Sequence, residues 1–186
     1  MPSTKSGVAV QDKRLPKQFG DFAESLVMYV FGRYKKMRVA LVDHIGADII
    51  ASDPDTNERY AISVKGRHFP ANENKGFNFG QHDIEMLRDF ADSFALIPVV
   101  AFVFADEMEG EKKIRILAVR LDTMETLAAD DRCTFTIHTT QKRSGAGIHI
   151  NYGISTRHNY LGEIRECGHF DYTEMVFSII NEFLSV

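Results

Sequence analysis

The chain has 186 residues, of which 44% are hydrophobic and 26% are charged, and its formal net charge is -4 at pH 7. This length and composition predict one globular domain, residues 1–186, with a sizeable core. No apolar run reaches about 18 residues and the segment MPSTKSGVAV carries no secretory apolar stretch, so we expect no membrane span and a cytoplasmic protein. The two cysteines, Cys133 and Cys167, are too few for a disulfide framework and are expected to be reduced.

The charges are unevenly distributed along the chain. Residues 1–70 contain 11 Lys and Arg against 8 Asp and Glu, which leaves 11 against 18 in the remainder. A polyanion site is therefore expected in the first part of the chain, although an ordinary solvated surface with uneven charge gives the same counts.

The first predicted element is a helix from about Pro16 to Tyr34. Its apolar residues recur at spacings of three and four, as one buried face of a helix requires. These residues are Phe19, Phe22, Ala23, Leu26, Val27, Val30 and Phe31. Glu24 falls close to the direction of Phe31 around the helix, so it is predicted at the border of the buried face.

Three strands, a helix and a further strand are predicted next. The segments MRVALVDH, ADIIASD and RYAISVK have strand character, and the turn-forming residues of PDTNE join the last two as an antiparallel hairpin. A loop, GRHFPANENKGFN, leads to the helix QHDIEMLRDFADSF. The segment IPVVAFVFA is apolar at nearly every position, which is typical of a strand covered on both faces.

The rest of the chain is predicted to extend the same domain over residues 106–186. It contains a strand at KIRILAVRL, a short helix at DTMETLAAD, and strands near CTFTIHT and GIHINYG. A C-terminal helix follows, with Asp171 as its cap and an apolar stripe formed by Met175, Ile179, Ile180 and Phe183. The predicted fold class is therefore α/β, with a mixed sheet flanked by helices.

The predicted hairpin brings polar residues together. Pairing Ser52 with Arg59 sets a register in which Asp48 lies opposite Ser63, on the same face of the sheet as Lys65. The neighbouring even-step register pairs Asp48 with Lys65 and keeps the face, whereas a slip of one residue destroys the arrangement. Together with Glu24, this cluster is suited to holding a divalent cation beside a phosphate group.

The order of these elements resembles a known group of nucleases. Helix, three strands, helix and strand, with the motifs GDFAE, GADIIASD and ISVKGR, are similar to the PD-(D/E)xK nuclease superfamily, particularly its Holliday-junction-resolvase and Mrr-like restriction branches. The similarity covers roughly Gly20–Phe104. It implies a restriction-endonuclease-like core over residues 16–105, with the C-terminal strands and helix as additions.

The resemblance also implies the roles of particular residues. The catalytic positions fall on Glu24, Asp48, Ser63 and Lys65. Glu24, Asp48 and the Val64 carbonyl are the expected ligands of Mg²⁺ or Mn²⁺. This sequence departs from the superfamily at Ser63, where an acid normally precedes the lysine by two positions, so the site has one fewer negative charge for the metal.

Residues near this site are candidates for contacts with nucleic acid. Arg67 and His68 follow Lys65 and are expected to meet the phosphate backbone, unless they form an ordinary solvated strand end. Gln81 begins the second helix and is a candidate for turning toward the site, with capping or plain surface exposure as the alternative. The implied partner is duplex or branched DNA, and a homodimer would match paired cuts in two strands.

Two functions therefore remain open from the sequence. The first is a Mg²⁺-dependent endodeoxyribonuclease or an allied DNA-processing protein, in which Lys65 assists the attacking water or stabilises charge on the phosphate. The second is a catalytically inactive nuclease-like domain that binds nucleic acid or a protein partner, because a fold does not by itself determine a function.

Overall fold

A computed structural model describes residues 14–69, 76–106, 112–129, 135–138, 146–152 and 159–177. The helices are α1 (Arg14–Arg33), α2 (Gln81–Ser93), α3 (Leu121–Ala129) and α4 (Tyr160–Glu166). The strands are β1 (Arg38–His44), β2 (Ala47–Ser52), β3 (Arg59–Phe69), β4 (Gly76–Gly80), β5 (Ile97–Asp106), β6 (Lys112–Arg120), β7 (Phe135–His138), β8 (Gly147–Asn151) and β9 (Asp171–Phe177). None of the helices in these ranges is long and apolar enough to cross a membrane.

The strands form two sheets within the described ranges. Six strands, in the order β1-β2-β3-β5-β6-β9, make the main sheet, and β4-β8-β7 make a small one. β3 and β5 run parallel, while the other neighbours in the main sheet are antiparallel. The predicted α/β class and mixed sheet are therefore confirmed, and the order helix, three strands, helix, strand is present with β4 inserted before α2.

The main sheet is covered on both faces, and each face has its own apolar cluster. On what we call the α1 face, Val27 and other residues of α1 pack with β-strand residues such as Ile62 and Val103. On the α2 face, α2, α3 and the small sheet pack against residues such as Phe102. β5 contributes alternate residues to the two clusters, which confirms the prediction of a strand covered on both sides.

Two predicted segments differ from the structure. The loop expected from Gly66 to Asn78 is wrong at both of its ends, because β3 continues to Phe69 and β4 begins at Gly76. β3 stays extended because its register with β5 runs without interruption from Tyr60 to Phe69, so tertiary pairing outweighs the local turn signal of glycine.

The predicted C-terminal helix is also wrong where the structure describes it. Residues Asp171–Phe177 form β9, so Asp171 opens a strand rather than capping a helix. Thr173, Tyr172 and Val176 have high strand preference, and pairing with β6 provides the long-range partner that local spacing cannot reveal. The remaining stripe residues, Ile179, Ile180 and Phe183, lie outside the described residues. α4, which precedes β9, was not predicted.

Gly66 allows α1 to approach the main sheet closely. A Cβ built at this position would lie 2.8 Å from the Cβ of Ala23 and 3.3 Å from the ring and the carbonyl oxygen of Phe19. Methyl groups do not tolerate so short a separation, and neither neighbour is the end of a flexible chain. The absence of a side chain at Gly66 therefore sets where the middle of α1, next to Glu24, meets β3.

We expect Gly66→Ala to destabilise the protein by about 1–3 kcal/mol, because overpacking at this contact forces α1 away from the sheet. Urea unfolding measures this change in the free energy of unfolding. Gly20→Ala is the matched control, since its Cβ would meet nothing within 4 Å and alanine favours a helix by up to about 1 kcal/mol. Equal stability of Gly66→Ala and wild type would contradict the close contact.

A buried ionic network joins β6, α4 and β9 on the α2 face. The Arg115 side chain is fully buried, and its Nε donates a hydrogen bond to Glu174 Oε2 at 2.7 Å. Arg165 and the Tyr172 hydroxyl donate to the same oxygen at 2.7 and 3.0 Å. Burial by itself would raise the pKa of Glu174, but hydrogen bonds from Arg115, Arg165 and Tyr172 outweigh it and lower the pKa to about 2.

We expect Glu174→Gln to destabilise the protein by about 3 kcal/mol at pH 7, because it takes the carboxylate away from the buried Arg115 cation. The lowered pKa means that the charged form of Glu174 stabilises the fold above pH 4.5 and that this contribution is lost as the pH falls toward 2. Denaturant unfolding from pH 7 to pH 2 should therefore show a weaker acid dependence in the variant.

The exposed Glu166 provides a control for this experiment. Glu166→Gln on α4 should change stability by less than about 0.5 kcal/mol and keep the acid dependence of the wild type. The same acid dependence in Glu174→Gln and wild type would contradict the role given to the network.

Candidate functional site

The predicted register of the β2–β3 hairpin is confirmed. Ser52 pairs with Arg59, and the ladder continues to the pair of Ile49 and Ile62. The ladder ends at this pair, one residue from Asp48 on β2 and one residue from Ser63 on β3. Ile50 and Ala61 belong to the cluster of the α2 face, so the alternation of side chains along a strand places Asp48 and Ser63 on that face as well.

Asp48 is bound directly to β3. Its Oδ2 accepts a hydrogen bond from the Val64 backbone N–H at 2.6 Å, just beyond the last backbone pair of β2 with β3. The second carboxylate oxygen accepts no hydrogen bond from the residues that the structure describes. The N–H and C=O of one strand residue point to the same edge, so the Val64 carbonyl also faces the β2 side of β3.

Ser63 and Lys65 project from β3 toward the α2 face. Ser63 is 5% exposed, whereas about a third of the Lys65 side chain is exposed, at 33%. The Lys65 ammonium lies 3.1 Å from Asp83 Oδ1 and 5.5 Å from the centre of the Phe79 ring. Lys65 is thus held between a carboxylate and an aromatic face, both of which favour a cation.

Glu24 approaches β3 from the other face of the sheet. It is half-buried on α1 and follows Ala23, the residue that Gly66 accommodates. The described contacts do not join Glu24 to Asp48 or Lys65. Within the described ranges, no group of three or more His, Cys, Asp or Glu side chains is arranged to hold a metal ion. The metal roles given to Glu24, Asp48 and the Val64 carbonyl therefore remain predictions.

The three predicted nucleic-acid contacts occupy two places. Arg67 and His68 are exposed near the end of β3, where Arg67 donates to the Gly76 carbonyl at 3.3 Å and His68 packs edge-on against Phe19, with ring centres 6.5 Å apart. Gln81 is exposed at the start of α2, and its amide donates to Glu85 at 3.0 Å. All three side chains are at the surface, and their contact with DNA stays a prediction.

Asp83 is the residue of this site that sequence reasoning missed. It lies in the first turn of α2, and its carboxylate forms the ion pair with Lys65. The signal was present in the segment QHD, because an acid in the first turn of a helix is stabilised there by the exposed backbone N–H groups. Its pairing with a lysine 18 residues earlier depends on how α2 packs against β3.

A cavity of about 320 Å³ lies elsewhere, at the ends of the strands where β3 and β5 begin. Its lining includes Tyr60, Val99, Arg120 and His169, and it contains none of the predicted site residues. The surface around Asp48 and Lys65 lies on β2 and β3, which are interior strands of the main sheet, and is separate from this cavity.

No protein-family model and no curated protein matches the sequence. Among solved structures, the Holliday junction resolvase of the hyperthermophilic archaeon Archaeoglobus fulgidus is similar, with 15% identity and a TM-score of 0.42 over 71% of this chain and 83% of the resolvase chain. Because both values are low, we base no inference about this chain on that similarity.

We expect Asp48→Ala to expose the Val64 amide to hydrogen exchange and to destabilise the protein by about 1–3 kcal/mol, because a half-buried N–H loses its acceptor. Asp48→Asn is the matched variant, since its amide oxygen can still accept the bond. Hydrogen exchange measured by NMR should therefore separate the two. Protection of Val64 that is equal in Asp48→Ala and wild type would contradict the hydrogen bond.

Proposed function

We propose that this protein is a divalent-metal-dependent endonuclease or an allied DNA-processing protein that acts on duplex or branched DNA. The observation that carries the proposal is the β2–β3 hairpin, whose register holds the Asp48 carboxylate at the Val64 backbone immediately before Lys65. The same residues give the sequence its resemblance to the PD-(D/E)xK nucleases. The exposed Arg67 and His68 extend the surface toward a phosphate backbone.

The oxygen donors on the side of β3 that faces β2 fit a hard cation. One oxygen of Asp48 binds the Val64 N–H, which leaves the other for a metal, and the Val64 carbonyl faces the same side. Asp48 and the Val64 carbonyl are the groups on this side of β3 that would hold Mg²⁺ or Mn²⁺. Glu24, the third ligand that the resemblance implies, lies on α1 at the other face of the sheet. When bound, such an ion would supply positive charge to a phosphate group and so favour attack by water.

The side chains of the protein have separate tasks in this proposal. Lys65 would neutralise a phosphate oxygen as negative charge develops there, and its ammonium is already partly exposed for this contact. Ser63 would donate a hydrogen bond to a phosphate oxygen or to the attacking water. Because it has no charge, Ser63 contributes less to metal binding than an acid at this position would.

One observation favours a second function. Ser63 stands where an acid would complete the charge of the site, and the described residues contain no cluster of three metal-binding side chains. These features fit a nuclease-like domain that binds DNA or a protein without cutting DNA. The two functions share the positions of Asp48 and Lys65 and differ in whether a metal ion binds.

We expect the wild-type protein to bind Mn²⁺ and to cut at least one of linear, supercoiled or branched DNA. Asp48→Asn should weaken metal binding by at least about tenfold, because a ligand is lost, and Lys65→Ala should abolish cleavage. Ser63→Glu should tighten Mn²⁺ binding and raise cleavage by restoring an acid. Calorimetric metal titration and gel assays of the three DNA forms measure these changes.

Asp92→Asn is the control for charge, since Asp92 is an exposed residue of α2 outside the site. It should match the wild type in metal binding and cleavage. Absence of metal binding and of cleavage in both the wild type and Ser63→Glu would refute the nuclease function and favour the inactive domain.

A further inference from the structure

Lys65 receives its negative partner from a different element of the fold. The residues that share its face on β3 are Ser63 and Arg67, neither of which is acidic. Its partner on the neighbouring strand β5 is Phe102. Asp48 of β2 is also on this face, but its described hydrogen bond is with the Val64 N–H. Asp83 of α2, whose Oδ1 lies 3.1 Å from the Lys65 ammonium, is the carboxylate that forms an ion pair with this lysine.

Asp83 is held on a rigid support. The residues Ile84 and Leu87 of the same helix are buried in the cluster of the α2 face, together with Phe79, whose ring lies beneath the Lys65 ammonium. Gly80 precedes α2, and a Cβ on it would approach Asp83 Oδ2 to 3.3 Å. The missing side chain at Gly80 leaves room for the carboxylate, so helix, strand and small sheet all fix the place where the ammonium sits.

We propose that Asp83 is the positioning residue of Lys65: it holds the ammonium in one place above Phe79, ready to meet a phosphate group. This inference rests on the proposed function for its use of Lys65. A free lysine side chain populates many rotamers, and an ordered one reaches a phosphate without first losing that freedom. Asp83 on α2 thereby places a negative charge beside Lys65, which the uncharged Ser63 on β3 does not.

The alternative is that Asp83 only stabilises the start of α2. An acid in the first turn of any helix has that effect. Asp122 occupies the first turn of α3 and therefore provides a matched control. Its carboxylate accepts a hydrogen bond from the Thr123 N–H at 2.7 Å, on a different helix from Asp83. The comparison of Asp83→Asn with Asp122→Asn separates positioning of Lys65 from a general helix effect.

The first test measures the reactivity of Lys65 in the folded protein. An amine-acylating reagent modifies a lysine more slowly when an ion pair holds its side chain, and mass spectrometry of the peptide that contains Lys65 gives the rate, with the exposed Lys17 as internal reference. Loss of the ion pair in Asp83→Asn should raise this rate about two- to fivefold, the range expected for a partly exposed pair. Asp122→Asn should leave it unchanged.

Two variants should restore the wild-type behaviour. Asp83→Glu keeps the negative charge on the same helix. Ser63→Asp in the Asp83→Asn background places a negative charge near Lys65 on β3 instead, since residues two apart on a strand are about 6.6 Å from each other. Both should bring the labelling rate most of the way back to that of the wild type. An unchanged rate in Asp83→Asn, an equal rise in Asp122→Asn, or failure of both restoring variants would overturn the positioning role.

The second test uses DNA cleavage with Mn²⁺. Asp83→Asn should reduce cleavage about tenfold or more, because a displaced ammonium meets the phosphate poorly, and the restoring variants should recover it. Full cleavage by Asp83→Asn would overturn the inference. If the wild type does not cut DNA, the proposed function fails, and the labelling experiment still decides whether Asp83 positions Lys65.

Discussion

The hydrogen bond from the Val64 N–H to Asp48 is the interaction on which the geometry of the candidate site depends. It occurs where β2 and β3 stop pairing, and it fixes an acidic side chain at the edge of the strand that carries Ser63 and Lys65. Side chains alternate along a strand, so a slip of one residue in the hairpin would send Ser63 and Lys65 to the opposite face relative to Asp48. The pairing of Ser52 with Arg59 prevents that slip.

Because both faces of the main sheet are covered, the position of β3 and of the site residues beside it is well defined. α1 packs closely on one face because Gly66 has no side chain, and α2 packs on the other through Ile84 and Leu87. β3 lies between them and pairs with strands on both sides, so its backbone has little freedom. Rigid elements hold functional groups more accurately than loops do, and Asp48, Lys65 and Asp83 all lie on such elements.

The β2–β3 hairpin could be predicted from the sequence because residues close together in the chain determine it. Turn-forming residues between Ser52 and Arg59 fix the loop, and the register of the strands follows from the loop. The continuation of β3 past Gly66 and the strand β9 could not be predicted in the same way, since both depend on pairing with β5 or β6. The glycine at position 66 indicated a loop, but β3 continues there because it pairs with β5. Helical spacing indicated a C-terminal helix, but residues 171–177 form a strand because they pair with β6.

The same distinction applies to the candidate site. Asp48, Ser63 and Lys65 follow from one hairpin, whereas the contact of Asp83 with Lys65 requires the packing of α2 on the sheet. A crystal structure of the protein soaked with Mn²⁺ would show whether Asp48 and the Val64 carbonyl bind a metal ion, because anomalous scattering locates the ion. We expect Mn²⁺ at about 2.1 Å from Asp48 and the Val64 carbonyl, as for a small hard cation. Crystals that hold Mn²⁺ only at other places, with the Asp48 carboxylate unchanged, would contradict this expectation.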